Sequence, residues 1–255
     1  MTAAPAVLAL HGFGDSGACW RPFLTRVGLA DARAPHLLAH GGRAMPARTA
    51  FAHEVLVGDA LPAVQAEADR HGRPVVLLGH SLGASTAAGI AATRPDLVAG
   101  LLLEDPPWSE PVSPAADAAE EQRNDFLDWL VGLAGTDHAG RVGWVRPRHP
   151  GWPDDEVTAW AQAKAQVDLD LFAAAQHWLR RSWEPVAAAV RCPVTLLRGS
   201  AARGSACTAG AAARLADLAG WQVVTVALAG HDVRRDAPGA AEAALHALLE
   251  RAAAS

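Results

Sequence analysis

The chain has no tyrosine, two methionines, three cysteines and only one lysine, Lys164, among its 22 basic residues. Without tyrosine, no mechanism can use a phenol as acid, base or oxyanion donor. Cys19, Cys192 and Cys207 are odd in number and far apart, which supports neither a disulfide framework nor a paired-cysteine metal site and fits a reducing cytoplasm. A net charge of −5 leaves no basic surplus to neutralise a phosphate backbone, so nucleic acid is not an expected partner. Long apolar runs are also lacking. The N-terminal one, Pro5 to Leu10, has no basic flank, is too short for a signal peptide or a membrane span, and reads as a first buried strand.

What is present suits one α/β domain, or a core with a small insert: 255 residues, about half of them apolar. Short apolar runs alternate with helical stretches, the pattern of βαβ units around a mostly parallel sheet. Strands are expected at 6–10, 74–78, 100–103, 194–197 and 223–226, with a weaker one at 35–39. Helices are expected at 49–70, kinked or broken by Pro62, and at 82–93. Between Trp108 and Glu184 strand-like runs disappear, and seven of the nine tryptophans fall there: Trp108, Trp129, Trp144, Trp152, Trp160, Trp178 and Trp183. The expected organisation is a core at 1–107 and 185–255 with a helical cap inserted at 108–184.

The strongest chemical signal is Gly79-His80-Ser81-Leu82-Gly83, a G-x-S-x-G sequence placed where a buried strand hands over to a helix. That turn is so tight that its flanking residues must be small, and both are glycine. It would lift Ser81 Oγ above the sheet and offer the Leu82 backbone N–H to an oxyanion. His11-Gly12-Phe13-Gly14 follows the first strand and would bring the Phe13 N–H beside it. With the late Gly230-His231-Asp232, these motifs resemble the α/β-hydrolase superfamily along essentially the whole chain. The resemblance implies an eight-stranded, mostly parallel sheet flanked by helices, a helical cap after the sixth strand, and structural roles for His11 and His80.

His231 is the expected general base, since it follows the last strand in a Gly-His context. His138, His149 and His177 lie in the insert, and His246 lies on a C-terminal helix. His36 and His40 would be about 13 Å apart on a strand; no Glu or Cys completes a ligand set, so no metal and no cofactor is expected. The family's third triad member, a carboxylate soon after the seventh strand, is missing: Ala202 stands at that position within Arg198 to Cys207. Glu104-Asp105-Pro106, at the end of the sixth strand, is the substitute, as in haloalkane dehalogenases. Adjacent strand residues point to opposite faces, so only one of the two carboxylates can reach His231; Asp105 is preferred, with Glu104 the alternative.

These residues imply a serine hydrolase of a carboxylic ester or lactone, with Trp108 the first candidate to line a pocket for a bulky, apolar small molecule. The alternative, prompted by the missing acid, is a non-hydrolytic receptor or cyclase on the same scaffold. Serine at the elbow disfavours the aspartate-nucleophile branches. A hydroxynitrile lyase would want a lysine near the site, whereas the only one lies in the insert. The sequence carries no sign of oligomeric state.

Overall fold

The structure, a computed structural model, describes residues 6–109, 116–174 and 182–254, with side chains left out at 116–123 and 126. Five strands form the sheet among these residues: β1 (Val7–Leu10), β2 (Val75–His80), β3 (Val98–Glu104), β4 (Val194–Arg198) and β5 (Trp221–Thr225). They lie side by side in chain order, and every neighbouring pair is parallel. The sheet therefore has five strands and not the eight expected. The segment 35–39 is loop, since Ala39 at φ 62° turns the chain out of the extended region, and only one bridge, Leu8 to Arg33, joins this part of the chain to β1.

Buried on both faces, a parallel sheet needs two apolar layers, and the period-two alternation supplies them. Leu8, Leu10, Val75, Leu77, Leu101 and Leu103 share one face. There they meet buried residues of α2 (His53–His71), α3 (Leu82–Thr93) and α8 (Ala209–Ala216). Val7, Ala9, Val76, Leu78 and Leu102 face the other way, against Phe23 and Leu24 of α1 (Arg21–Arg26) and Leu245 and Leu248 of α10 (Pro238–Ala253). Helix α2 continues through Pro62, so of the expected kink or break the break does not occur. Pro62 and Gly58 are both on its exposed side, so water can satisfy the carbonyl that the proline leaves unpaired, while buried Leu56, Val57, Ala60 and Val64 hold the other face.

Between β3 and β4 the described residues form helices: α4 (Ala116–Ala134), α5 (His138–Val145), α6 (Asp154–Lys164) and α7 (Glu184–Ala189). Leu133, Val145, Trp152, Val157 and Trp160 give the first three a small apolar core of their own. Helix α6 also lies against the loop after β1, where Cys19 packs with Ala159 and Ala163. After β5 the chain passes through the short α9 (Val233–Asp236) into α10.

Candidate active site

Ser81 sits between β2 and α3 at φ 51°, ψ −113°, a conformation that L-residues rarely adopt. The surroundings impose it. A Cβ on Gly79 would lie 2.5 Å from Ala84 Cα, and one on Gly83 would lie 2.2 Å from Leu10 O, so neither flanking position can carry a side chain. The Ser81 N–H continues the ladder to Glu104 O at 2.8 Å, while its carbonyl accepts from Ala84 N–H at 3.0 Å. The loop after β1 packs directly on this turn: a Cβ on Gly12 would meet His80 Nδ1 at 2.6 Å and Ser81 Cβ at 3.3 Å. Phe13 and Ser81 thereby come to line one cavity of about 370 Å3, together with His231.

The two candidate acids separate cleanly. Asp105, wholly buried at φ 44°, places Oδ2 2.7 Å from His231 Nδ1. Glu104 points elsewhere, accepting from the backbone N–H of Arg234 at 2.7 Å and from its guanidinium at 2.8 Å. That removes Glu104 from the triad candidates: its carboxylate anchors the start of α9. Burial pushes the Glu104 carboxyl above its usual range, although Arg234 pulls the other way.

The segment that lacks the expected acid supplies hydrogen-bond donors instead. Ser205 Oγ donates to Asp105 Oδ1 at 2.5 Å, Ala206 N–H to Oδ2 at 2.7 Å and Cys207 N–H to Oδ1 at 3.4 Å. With both oxygens engaged, the carboxylate has a fixed orientation toward the imidazole. For His231, burial alone would lower the pKa. The bond to Asp105, with the charges of Asp232, Asp105 and Glu104, outweighs it, so the ring titrates above the ordinary 6.5.

Four other histidines hold backbone. His40 Nε2 accepts the Gly14 N–H at 3.0 Å while Nδ1 donates to Leu38 O at 2.7 Å, and His11 Nε2 accepts the Leu37 N–H at 2.9 Å. His36 Nδ1 accepts the Gly17 N–H at 3.1 Å. His80 Nε2 donates to His231 O at 3.1 Å, and the two rings pack 4.8 Å apart. Burial holds His11, His40 and His80 neutral, with His11 lowered to about 3 and His40 to about 4. Ligating atoms of Asp15, His80 and Asp232 all lie within 4.8 Å of one another. Arg235 already donates to both carboxylates and Lys164 to Asp15, so the cluster's negative charge is matched by resident cations.

Tryptophans Trp129, Trp144, Trp152 and Trp160, from the helical segment between β3 and β4, line the cavity wall, and Trp144 stacks on Trp160 at 5.6 Å and 8°. Trp108 is not among the lining residues. It is buried in the core, stacked on Trp183 at 5.7 Å, with Trp221 6.2 Å away, which corrects its expected role as the leading pocket residue. Trp178 and His177 lie outside the described residues. His149 stacks on Trp152 at 4.0 Å and lines the cavity. The sequence reading missed Lys164, Asp15 and Arg235 as cavity residues; in particular Lys164, set aside because it lies in the insert, reaches the cavity from the end of α6. Its pairing with Asp15 at 2.8 Å was invisible in a separation of 149 positions.

A family model described as "Alpha/beta hydrolase family" matches residues 7–245. The lipase LipV of Mycobacterium tuberculosis is 37% identical over 101 residues, which cover 39% of this chain and 36% of that lipase. Among solved structures, E-2-(acetamidomethylene)succinate hydrolase superposes with a TM-score of 0.72 at 22% identity, over 97% of this chain and 92% of the other. An esterase of M. tuberculosis superposes with a TM-score of 0.70 at 21% identity, over 97% and 86%. At these identities the two superpositions establish shared architecture.

Proposed function

Because the chain belongs to the α/β-hydrolase family, we propose that it is a serine hydrolase cleaving a carboxylic ester or lactone with a bulky apolar group. The observation that carries this reading is the His231 Nδ1 to Asp105 bond of 2.7 Å, in a cavity that also exposes Ser81. Ser81 Oγ attacks the substrate carbonyl carbon while His231 Nε2 takes the hydroxyl proton. The tetrahedral oxyanion is received by the backbone N–H groups of Phe13 and Leu82. The imidazolium then gives its proton to the leaving alcohol; the neutral His231 next takes a proton from a water that attacks the acyl carbon, and returns it to Ser81 Oγ as the acid leaves. Asp105 keeps the Nδ1–H tautomer and stabilises the imidazolium. No step calls for a metal or a cofactor.

A wall of indole rings favours an apolar, ring-bearing small molecule. The alternative of a non-hydrolytic receptor or cyclase was prompted by the missing acid after β4, and a carboxylate from the end of β3 removes that motive. The test is fluorophosphonate labelling, with hydrolysis of p-nitrophenyl esters of linear and aryl acids, in wild type and Ser81→Ala. Labelling and turnover that vanish in Ser81→Ala are expected, with aryl esters preferred over acetate; a wild type that neither labels nor turns over any ester would overturn the reading.

A further inference from the structure

The only lysine of the chain ends α6 in the cap, yet its ammonium lies in the core loop that follows β1. Lys164 Nζ donates to Gly14 O at 2.7 Å and to Asp15 Oδ1 at 2.8 Å, and it sits 4.7 Å from the ring centre of Trp160. On its amide side, Gly14 donates to His40 Nε2 at 3.0 Å. Gly14 is therefore held from both ends, by a core histidine and a cap lysine. It is the residue immediately after Phe13, whose N–H is one of the two oxyanion donors in the proposed mechanism. The fit is close: Gly14 has φ 71°, and a Cβ there would lie 3.4 Å from both Lys164 Nζ and Leu130 Cδ2.

Helix α6 is tied down at its other end as well. Glu156, in its first turn, pairs with Arg26 at 3.2 Å and with Arg235 at 3.3 Å, and Arg235 donates in turn to Asp15 Oδ2 at 2.8 Å. Asp15 thus receives Lys164 from α6 and two cations of α9, Arg235 and, at 3.6 Å, Arg234, just beyond His231. An acid near the helix start and a lysine at its end both suit the helix dipole, so α6 is electrostatically suited to this strapping position.

We propose that Lys164 is a positioning residue through which the cap sets the oxyanion loop, so that the Phe13 N–H is aimed correctly only when α6 is docked. This rests on the serine-hydrolase reading above. The demand is geometric. An oxyanion donor works only when it lies about 2.7–3.1 Å from where the charge develops, and loss of a whole donor costs about 10²- to 10³-fold in kcat. A loop released at Gly14 O keeps its donor but loses its aim. The effect falls on the transition state and leaves ground-state binding alone.

The test compares Lys164→Met, which keeps the stem that packs on the indoles, with Lys164→Arg, which keeps a cationic donor. It measures aryl ester hydrolysis and inhibition by an aryl trifluoromethyl ketone, to whose carbonyl Ser81 Oγ adds to form an oxyanion, and by the matching methyl ketone, which binds without that charge. For Lys164→Met the expected result is a kcat lower by about tenfold or more with KM within about twofold. Trifluoromethyl ketone inhibition should weaken by a similar factor and methyl ketone inhibition stay unchanged, with part of the loss recovered in Lys164→Arg. Unchanged kcat, or equal loss against both ketones, would overturn the proposal.

Should Lys164→Met fail to fold, wild type answers instead, because lysine labelled with 15N at Nζ gives a single side-chain signal in this chain. That signal should move further when the trifluoromethyl ketone adds to Ser81 than when the methyl ketone binds the same cavity; equal movement with the two, or none, overturns the proposal. A wild type that takes no fluorophosphonate and cleaves no ester overturns the hydrolase reading and this inference with it, whereas an active wild type beside an unimpaired Lys164→Met overturns this inference alone.

Discussion

Asp105 and Glu104 are neighbours with the same charge; Glu104 is the last residue of β3 and turns to Arg234, while Asp105, one step beyond the strand at φ 44°, turns to His231. Their substitutions should therefore diverge. Asp105→Asn should lower kcat by about 10⁴-fold, the order seen when a triad acid becomes an amide and the wrong imidazole tautomer results. Glu104→Gln should keep kcat within about threefold and show itself in melting temperature, since a buried bond to a charged group contributes about 1.5–3 kcal/mol. The pH profile offers a second check. In the proposed mechanism His231 must be neutral to accept the Ser81 proton, and its pKa is raised, so kcat/KM should fall on the acid side with a midpoint above 6.5. In Asp105→Asn, the strongest raising partner is gone and that midpoint should move to lower pH.

His11 and His40 carry a stability signature of opposite origin. Both are buried acceptors of backbone N–H groups and both have folded pKa values lowered, to about 3 and about 4. A group depressed in the folded state contributes fully above its unfolded value near 6.5 and loses that contribution as pH falls toward the folded value. Unfolding free energy should thus decline between pH 6.5 and about 4, by several kcal/mol from the two rings together, since each tenfold change in proton affinity is worth about 1.4 kcal/mol. Urea titrations across that range measure it, and His40→Gln should flatten the slope.

Elements follow the same split between local pattern and distant contact. The five strong apolar runs all became strands: four carry at least four consecutive buried residues, and the half-buried one at 223–226 pairs along β4 at the end of the sheet. The weaker run at 35–39 instead became a loop whose neighbouring backbone N–H groups end on His11 and His36, which no periodicity registers. Ser81 was legible since a strand, two glycines and a helix are contiguous in sequence. Lys164 and Arg235 were not, because their partners are 149 and 220 residues away. Trp108 misled for a related reason: nearness to the acid loop in sequence says nothing of which side of the chain the ring takes, and Trp183 and Trp221 took it into the core.

Two substitutions test the element scale. Gly83→Ala would place a methyl 2.2 Å from Leu10 O, so the elbow or β1 must shift. A loss of about 1–3 kcal/mol, the usual range for overpacking, with disproportionate loss of turnover is expected from denaturation and ester assays. Pro62→Ala restores an exposed helical N–H in α2 and should raise stability, by no more than the roughly 3 kcal/mol that separates proline from alanine in a helix interior. No change in melting temperature there would mean that α2 already adapts its backbone around the ring at no cost.

At the scale of the whole molecule, three separate pieces converge on one buried guanidinium. Arg235 pairs with Asp15 of the loop after β1 at 2.8 Å, with Glu156 of α6 at 3.3 Å, and with Asp232 beside His231 at 2.5 Å. It also stacks 5.0 Å from the centre of Trp152. Asp15 and Asp232 are both held below the usual carboxylate range: burial would raise them, and Arg235 is the strongest of the charges that overcome it. Desolvating so many charges costs several kcal/mol each, so such a network adds little net stability compared with an apolar replacement of the whole set. What it enforces is a relative placement, since the charges are matched only when α6, the loop after β1 and the segment around His231 are all docked. Removing one partner is the costly change. Arg235→Met should leave three carboxylates short of a cation and lose about 3–5 kcal/mol, with little sensitivity to added salt because the groups are shielded from it. By contrast Arg43→Ala, which breaks an ion pair with Asp59 in which the arginine is 42% exposed, should cost under about 1 kcal/mol and become indistinguishable from wild type at high salt. Urea midpoints for both variants at low and high ionic strength separate the two regimes; an Arg235→Met penalty that shrinks with salt would mean that the elements packed around this cluster do not shield it from solvent.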